Sequence, residues 1–260
     1  EDVDSTLAEA RRIWRASRPA EPFGVVAGRQ TAGIGRRGRS WCSPGGGLWL
    51  AIAWPMGRPL SAYAAAPLAA ALAVARWIEA HHALEPRIKW PNDILLGGRK
   101  ACGILCQAEG APGDGVLLAG IGLNLNLRAG DLPPDARVEP TSVLLESGRE
   151  SSLKDAARVI ALDFAALVCG LEGSREDALL AEVEARLAWK DEEVACVDAG
   201  TGEPVPGVVR GLGPGGALRL EAEGVVRLFR TGELERMSPL AGHRRNPEEP
   251  SCPTAIPSPS

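Results

Sequence analysis

Ile88-Lys89-Trp90-Pro91-Asn92-Asp93-Ile94-Leu95-Leu96-Gly97-Gly98-Arg99-Lys100-Ala101-Cys102-Gly103-Ile104-Leu105 is the stretch that decides the fold. Ile88 to Trp90 reads as short and extended, because the Pro91 ring disfavours helical backbone in the residue before it. Ile94 to Leu96 and Arg99 to Ala108 read as two strands joined by Gly97-Gly98, a pair suited to a two-residue hairpin turn. The stretch is also rich in chemistry. The lysines of the chain are Lys89, Lys100, Lys154 and Lys190, so two of them bracket this one hairpin in a chain that otherwise uses arginine. Lysine brings a compact ammonium that can sit among several oxygens, where arginine brings a planar fork.

Working outward, Thr6-Leu7-Ala8-Glu9 has the capping-box pattern and predicts a helix from Thr6 to about Ala16. Strands are expected at Phe23 to Ala27, Leu48 to Trp54 and Val116 to Leu127, and helices over Ser61 to Ala83, Leu153 to Leu171 and Arg175 to Lys190. Pro67 suits the first turn of a helix that starts afresh there. This is α+β, a mixed β-sheet flanked by helices. After Asp191 the texture changes to short strands at Val194 to Val197, Val205 to Leu212, Ala217 to Ala222 and Val225 to Phe229, separated by Gly/Pro turns. The spacing predicts a small β-barrel of roughly 50 residues. The expected division is 1–190 for a ligand-binding domain, 191–238 for the barrel and 239–260 for a disordered tail.

The chain has 260 residues, 45% of them hydrophobic, and a net charge of −4, so it can bury a substantial core and is a poor candidate for a general nucleic-acid binder. The apolar stretch Ala62 to Ala75 is mostly alanine and reads as too short for a bilayer, which needs about 20 apolar residues. No signal peptide opens the chain, and a cytoplasmic protein is expected. Six scattered cysteines and three histidines form no metal-ligand spacing, and Cys102 and Cys106 fall on one strand face as structural thiols.

Gly33-Ile34-Gly35-Arg36-Arg37-Gly38-Arg39-Ser40-Trp41 is a second chemical signal. Its glycines allow positive φ and a concavity of inward N–H groups, Arg36, Arg37 and Arg39 add fixed charge for phosphate oxygens, and Trp41 adds a flat apolar surface. Alone, an Arg/Gly run is usually a solvated loop. Lys89 beside Asn92 and Asp93 suits a carboxylate meeting a phosphate, with Asp93 free to help hold Mg²⁺; the plainer reading is a surface ion pair worth about 0–1 kcal/mol. Gly120-Ile121-Gly122-Leu123-Asn124 lies within a strand and lacks the third glycine of a dinucleotide loop, so these glycines are expected to let a ligand lie against the backbone.

Taken in order, Ser5-Thr6, Gln30-Thr31, the Gly33 to Trp41 loop, Ser43-Pro44, Lys89 to Asp93, Arg99-Lys100, Gly103-Ile104-Leu105 and Gly120 to Asn124 resemble the motifs of biotin protein ligases over about Val3 to Met237. The resemblance implies a class II synthetase-like catalytic domain followed by an SH3-like barrel, and two half-reactions: ATP, with Mg²⁺, activates biotin to biotinyl-5′-AMP, and biotin then passes to a lysine of a biotin carboxyl carrier domain. It implies that Ser5, Thr6, Gln30, Gly33, Arg36, Trp41, Lys89 and Gly103 bind biotin and that Arg36, Arg39, Trp41, Lys89, Asn92 and Asn124 bind ATP. Lys89 and Arg36 would be catalytic, with Asp93 the candidate Mg²⁺ ligand. Ile34, Gly28, Gln107 and Leu7 depart from the residues common at those positions. The resemblance starts at the first residues, which implies a form without an N-terminal DNA-binding domain. A homodimer is left open. A lipoate or octanoyl ligase of related fold, a silent biotin-binding relative and a nucleic-acid module built on Gly35 to Arg39 are the alternatives.

Overall fold

A computed structural model describes residues 2–111, 113–134 and 136–237. β1 (Asp2–Val3) leads into α1 (Thr6–Ser17). The cap of α1 is Ser5, whose hydroxyl accepts from the Ala8 amide at 3.5 Å. Thr6, the cap expected from sequence, instead donates both its amide and its hydroxyl to Gln30. Serine and threonine both cap well, so the tertiary partner made the choice.

β2 (Phe23–Ala27), β3 (Arg29–Gln30), β4 (Leu48–Met56), α2 (Ala66–His82), β5 (Arg87–Lys89), β6 (Asp93–Leu96), β7 (Arg99–Glu109) and β8 (Gly115–Leu123) follow. Six of these strands form one sheet in the order β2-β4-β8-β7-β6-β5, with antiparallel neighbours throughout. β1 and β3 pair in parallel. Gly97 and Gly98, at φ 55° and 80°, close the β6–β7 hairpin as the sequence predicts. β8 ends earlier than expected, since the Asn124 amide turns away to donate to Ala101 and the Asn126 amide to Gly46.

α3 (Val143–Ser147), α4 (Leu153–Glu172) and α5 (Glu176–Ala185) complete the helices. α5 stops short of the predicted Lys190. Beyond it the chain runs alongside β5: the Ile88 amide donates to the Arg186 carbonyl at 2.8 Å and the Ala188 amide to the Ile88 carbonyl at 2.9 Å. A sheet edge with unpaired N–H and C=O groups gains more from this strand-like cover than a helix gains from one more turn. This cover fixes the strand that carries Lys89.

Alternation along β8 divides the two faces of the sheet. Leu117, Ala119, Ile121 and Leu123 enter the main core with α2 and α4. Val116 and Leu118 pack with Leu7, Ala10 and Trp14 of α1 on the other face. The stretch Leu60–His82 is long and apolar enough by composition to cross a bilayer, contrary to the reading of its central part as too short. Its side chains are instead mostly buried against the sheet and α4, which makes it the core helix. Cys102 and Cys106 lie on one face of β7, as expected, and burial pushes the Cys106 thiol up to about 12.

β9 (Glu193–Asp198), β10 (Pro204–Gly213), β11 (Ala217–Ala222), β12 (Val225–Phe229) and β13 (Gly232–Arg236) form a second, antiparallel sheet in the order β12-β11-β10-β9-β13. β13 was not anticipated from sequence. The core is continuous into this sheet: Leu218, Leu220 and Leu234 belong to the same cluster as Trp90, whose indole N–H donates to the Gly216 carbonyl at 2.9 Å. The tail expected over 239–260 lies outside the described residues.

On the α1 face, Gly120 stands where α1 crosses the sheet, and a Cβ there would lie 2.6 Å from Leu7 Cδ1. Gly120→Ala is expected to destabilise the protein by about 1–3 kcal/mol, the usual cost of overpacking. Urea unfolding of Gly120→Ala, Leu7→Ala and the double variant checks this. The double variant should recover part of the loss, and additive losses would disprove the contact's role.

Candidate active site

Gly103 of β7 and Gly122 of β8 are paired neighbours in the sheet. With Gly120 they leave a strip of the sheet face without side chains. The sequence suggested that a ligand lies against these glycines. In the structure two of the chain's own side chains do so: Leu7 on Gly120, and the Trp41 indole on both Gly103 and Gly122. A Cβ at Gly103 would fall 2.8 Å from Trp41 Cζ3, and one at Gly122 would fall 2.5 Å from Trp41 Nε1. That indole nitrogen is buried and has no hydrogen-bond partner among the described residues.

Trp41 is delivered by the loop expected to bind anions. Ile34 bridges Ser40, the Gly35 amide donates to the Arg39 carbonyl at 2.6 Å, and the Trp41 amide donates to the Gly33 carbonyl at 2.8 Å. The loop is thus a miniature hairpin, turned by Arg37 at φ 58° and Gly38 at φ 74°. Gly33 is required by contact rather than by dihedral, since a Cβ would sit 2.3 Å from the Trp41 carbonyl oxygen.

One directional chain of hydrogen bonds ties this loop to α1. Thr6 donates its amide (2.8 Å) and hydroxyl (3.0 Å) to Gln30 Oε1. Gln30 Nε2 donates to Ser43 Oγ (2.7 Å), which donates to the Trp41 carbonyl (3.0 Å). Thr6, Gln30 and Gly33 are therefore brought together beside Trp41, with Ser5 buried next to them. Ser43 joins the chain without having been chosen from sequence.

The cations gather at the neighbouring end of the sheet. Arg36 Nη1 donates to Asn92 Oδ1 at 2.9 Å, and both of its Nη groups reach the Gly232 carbonyl at 3.2 Å. Asn92 is held in turn by its Nδ2 bond to the Ile104 carbonyl at 2.8 Å. Lys89 is buried, with its ammonium 5.4 Å from the centre of the Trp189 ring, and makes no ion pair among the described residues. Burial holds the Lys89 ammonium below the ordinary lysine range, although Asp93 and Glu233 pull it upward.

Lys100 was not in the predicted site set, yet the structure places its side chain across Gly103 with its ammonium 5.1 Å from the Trp41 ring. It forms a 2.8 Å ion pair with Asp93. In the ligand-free chain the Asp93 carboxylate, the candidate Mg²⁺ ligand, is therefore engaged by Lys100, and no group of three or more metal-capable side chains surrounds it among the described residues. Asn124 is buried at the corner after β8 and donates Nδ2 to the Thr141 carbonyl at 2.9 Å. A cavity of 430 Å³ lined by Arg87, Leu95, Trp189 and Lys190 is bordered by neither the glycine strip nor the arginine loop.

The chain is 37% identical over 170 residues to the biotin–acetyl-CoA-carboxylase ligase of Paracoccus denitrificans, covering 63% of this chain and 69% of that one. The chain belongs to the biotin protein ligase family. The sequence profile of the Biotin/lipoate A/B protein ligase family matches residues 3–126 of this ligase-family chain. The bifunctional ligase/repressor BirA of Bacillus spizizenii is 37% identical over 151 residues, 57% of this chain but 46% of the repressor, so the chain spans about half the length of that relative. The fold is shared with the biotin protein ligase of Aquifex aeolicus, solved in complex with biotin and ATP, at a TM-score of 0.76 and 24% identity over 90% of this chain and 95% of that one.

A buried, unpaired Lys89 has a thermodynamic signature. At pH below its lowered folded value, native and unfolded chains both carry the proton and the burial cost is complete. As pH rises through that value toward the ordinary 10.5, the native state sheds its proton first, and stability rises with pH. Lys89→Met in this biotin ligase relative is therefore expected to be more stable than the parent at pH 7, with a gain that shrinks at alkaline pH. Denaturant titrations across that range check it; a variant less stable at pH 7 would contradict the burial argument.

Proposed function

We propose that this chain activates biotin with ATP to biotinyl-5′-AMP and then passes biotin to a lysine of a biotin carboxyl carrier domain. The observation that carries this reading is the convergence, at one end of a side-chain-free strip of sheet, of Arg36, Lys89 and Lys100 around Asn92 and Asp93. The relatives' names support it, as do the biotin and ATP held by the Aquifex enzyme.

In the first step an oxygen of the biotin carboxylate forms a bond to the α-phosphorus, and the bond from that phosphorus to the bridging oxygen breaks, releasing pyrophosphate. Two anions must approach while charge moves onto the leaving group. Arg36 and the two lysines lower that repulsion, and burial strengthens their effect because the dielectric is low. Lys89 suits this role because its charge carries no ion pair of its own. Lys100 is ready to turn from Asp93 toward the bound acid. In the second step the neutral amine of the carrier lysine attacks the acyl carbon, AMP leaves with the electron pair of the acyl–oxygen bond, and the nitrogen loses one proton to solvent as the amide forms.

The Thr6–Gln30–Ser43 chain fixes an amide beside the strip, suited to the paired donors and acceptor of a ureido group. The dithiolane of lipoate offers no such groups, which favours biotin as the acid. Trp41, which rests on Gly103 and Gly122 in the free chain, would move off them to pack against the acid's tail. Mg²⁺ fits here as a companion of the ATP phosphates, since magnesium commonly rides on substrate phosphates with few protein ligands. Asp93 would be its ligand among the chain's own side chains, on leaving the Lys100 ammonium that holds it in the free chain.

Biotin-dependent pyrophosphate release from Mg-ATP tests the reading, with lipoate in place of biotin as control. Release with biotin alone is expected, and Lys89→Ala or Lys100→Ala should each slow it by roughly 100- to 1,000-fold. Absence of release from the parent chain would refute the proposed activity, and equal release with lipoate would refute the assignment of the acid.

A further inference from the structure

Glu233 of β13 stands where cations from three separate segments meet. Arg39 Nη2 lies 3.5 Å and Arg137 Nη1 3.2 Å from the same oxygen, Oε2. Arg36 binds the adjacent Gly232 carbonyl, and Lys89 contributes its charge from β5. The Glu233 side chain is only 13% exposed. Burial alone would raise its pKa, but Arg39, Arg137, Lys89 and Arg36 outweigh that effect and hold it below the usual carboxylate range.

Arg36, Arg39 and Lys89 are the groups assigned above to the adenylation site, so a carboxylate of the chain itself sits in the field that the proposed activity reserves for phosphate. Glu233 offsets the mutual repulsion of these cations, while the loop that carries Arg36 and Arg39 is held in place by Trp41 on the glycine strip and by the bonds of Arg36 to Asn92 and Gly232. Yet Glu233 holds them loosely, because charge-assisted N–H···O bonds are ordinarily about 2.7–2.9 Å long. A triphosphate brings more charge and more acceptor oxygens than one carboxylate.

We propose that Glu233 is a stand-in anion at the nucleotide site: it contacts Arg39 and Arg137 and neutralises the field of Arg36 and Lys89 before ATP arrives, and yields these cations to the phosphates. The proposal rests on the adenylation reading above and adds a competitor to it. Glu233 also ties nucleotide occupancy to the second sheet, because β13 is held in register by β9. When pyrophosphate and AMP depart, the carboxylate reclaims the cations and speeds release. A purely structural clamp would act in the opposite direction, since its loss would loosen the loop and weaken nucleotide binding.

The test is steady-state adenylate formation with Mg-ATP varied, in the parent chain and in Glu233→Gln, Glu233→Asp and Glu235→Gln. Glu235 also pairs with Arg137 but is not among the groups acting on Lys89 or Arg36, so it serves as the control. Glu233→Gln should lower the KM for ATP by about fivefold, the scale of an ion pair lost to a competitor, and leave the KM for biotin unchanged. Glu233→Asp, which keeps the charge, should restore the parent value, and Glu235→Gln should not move it. An unchanged or raised KM for ATP in Glu233→Gln overturns the proposal. If the parent chain forms no adenylate, the activity has failed independently; calorimetry with inorganic pyrophosphate then decides, with tighter binding by Glu233→Gln in favour and equal or weaker binding against. If Glu233→Gln does not fold, hydrogen exchange in the parent decides. Pyrophosphate should speed exchange in Gly232–Arg236, and unchanged or slower exchange there would overturn the proposal.

Discussion

The close approach of other parts of the chain to one bare strip of sheet is the constraint from which the rest follows. Gly103, Gly120 and Gly122 remove three side chains from neighbouring positions of β7 and β8, and Leu7 and Trp41 come within contact of the backbone there. Leu7 fixes how α1 crosses the sheet. Trp41 fixes where the arginine loop ends. The chain of hydrogen bonds from Thr6 through Gln30 and Ser43 to the Trp41 carbonyl then couples the two. A single Cβ on the strip would disturb all of these together, because close-packed interiors pass small displacements on rather than absorb them.

Electrostatics adds a second layer to this frame. The site collects cations that the fold does not neutralise fully: Lys89 is buried without an ion pair, and Arg36 is satisfied by an amide and a carbonyl oxygen rather than by a carboxylate. Such an arrangement costs stability in the free protein and is suited to an anionic ligand. Asp93 and Glu233 moderate it from two sides, one in contact with Lys100 and the other with Arg39 and Arg137. The second sheet therefore does more than extend the core, since β13 brings a carbonyl oxygen and a carboxylate to the arginine loop.

Much of this was legible in the sequence. The Gly97-Gly98 hairpin, the core helix behind Pro67 and the strand Phe23–Ala27 stand where local pattern put them, and the strand expected at Leu48 to Trp54 runs on to Met56. Thr6, Gln30 and Gly33 gather beside Trp41, and Arg36 meets Asn92 at the neighbouring end of the sheet. Other details were hidden because their causes are not local. α5 ends early because β5 needs an edge partner, and Asp93 and Asn124 are engaged by a lysine seven residues on and by a distant carbonyl. Lys100 stood in the motif order beside Arg99 and bracketed the hairpin with Lys89, but neither signal gave it a role. Glu233 carried none, as a glutamate in a short strand is ordinary.

By itself, the sequence determined the α+β class, the order of the longer elements and the family, because periodicity, turn chemistry and motif order are properties of the chain read in one dimension. Tertiary structure alone decided which glycines are covered by which side chains, which carboxylate meets which cation, and that β13 closes on the arginine loop. The physical reason is range. Turns and caps are set by neighbours a few residues apart, whereas contact and charge pairing depend on distances in space between residues such as Arg36 and Gly232, which the sequence keeps far apart.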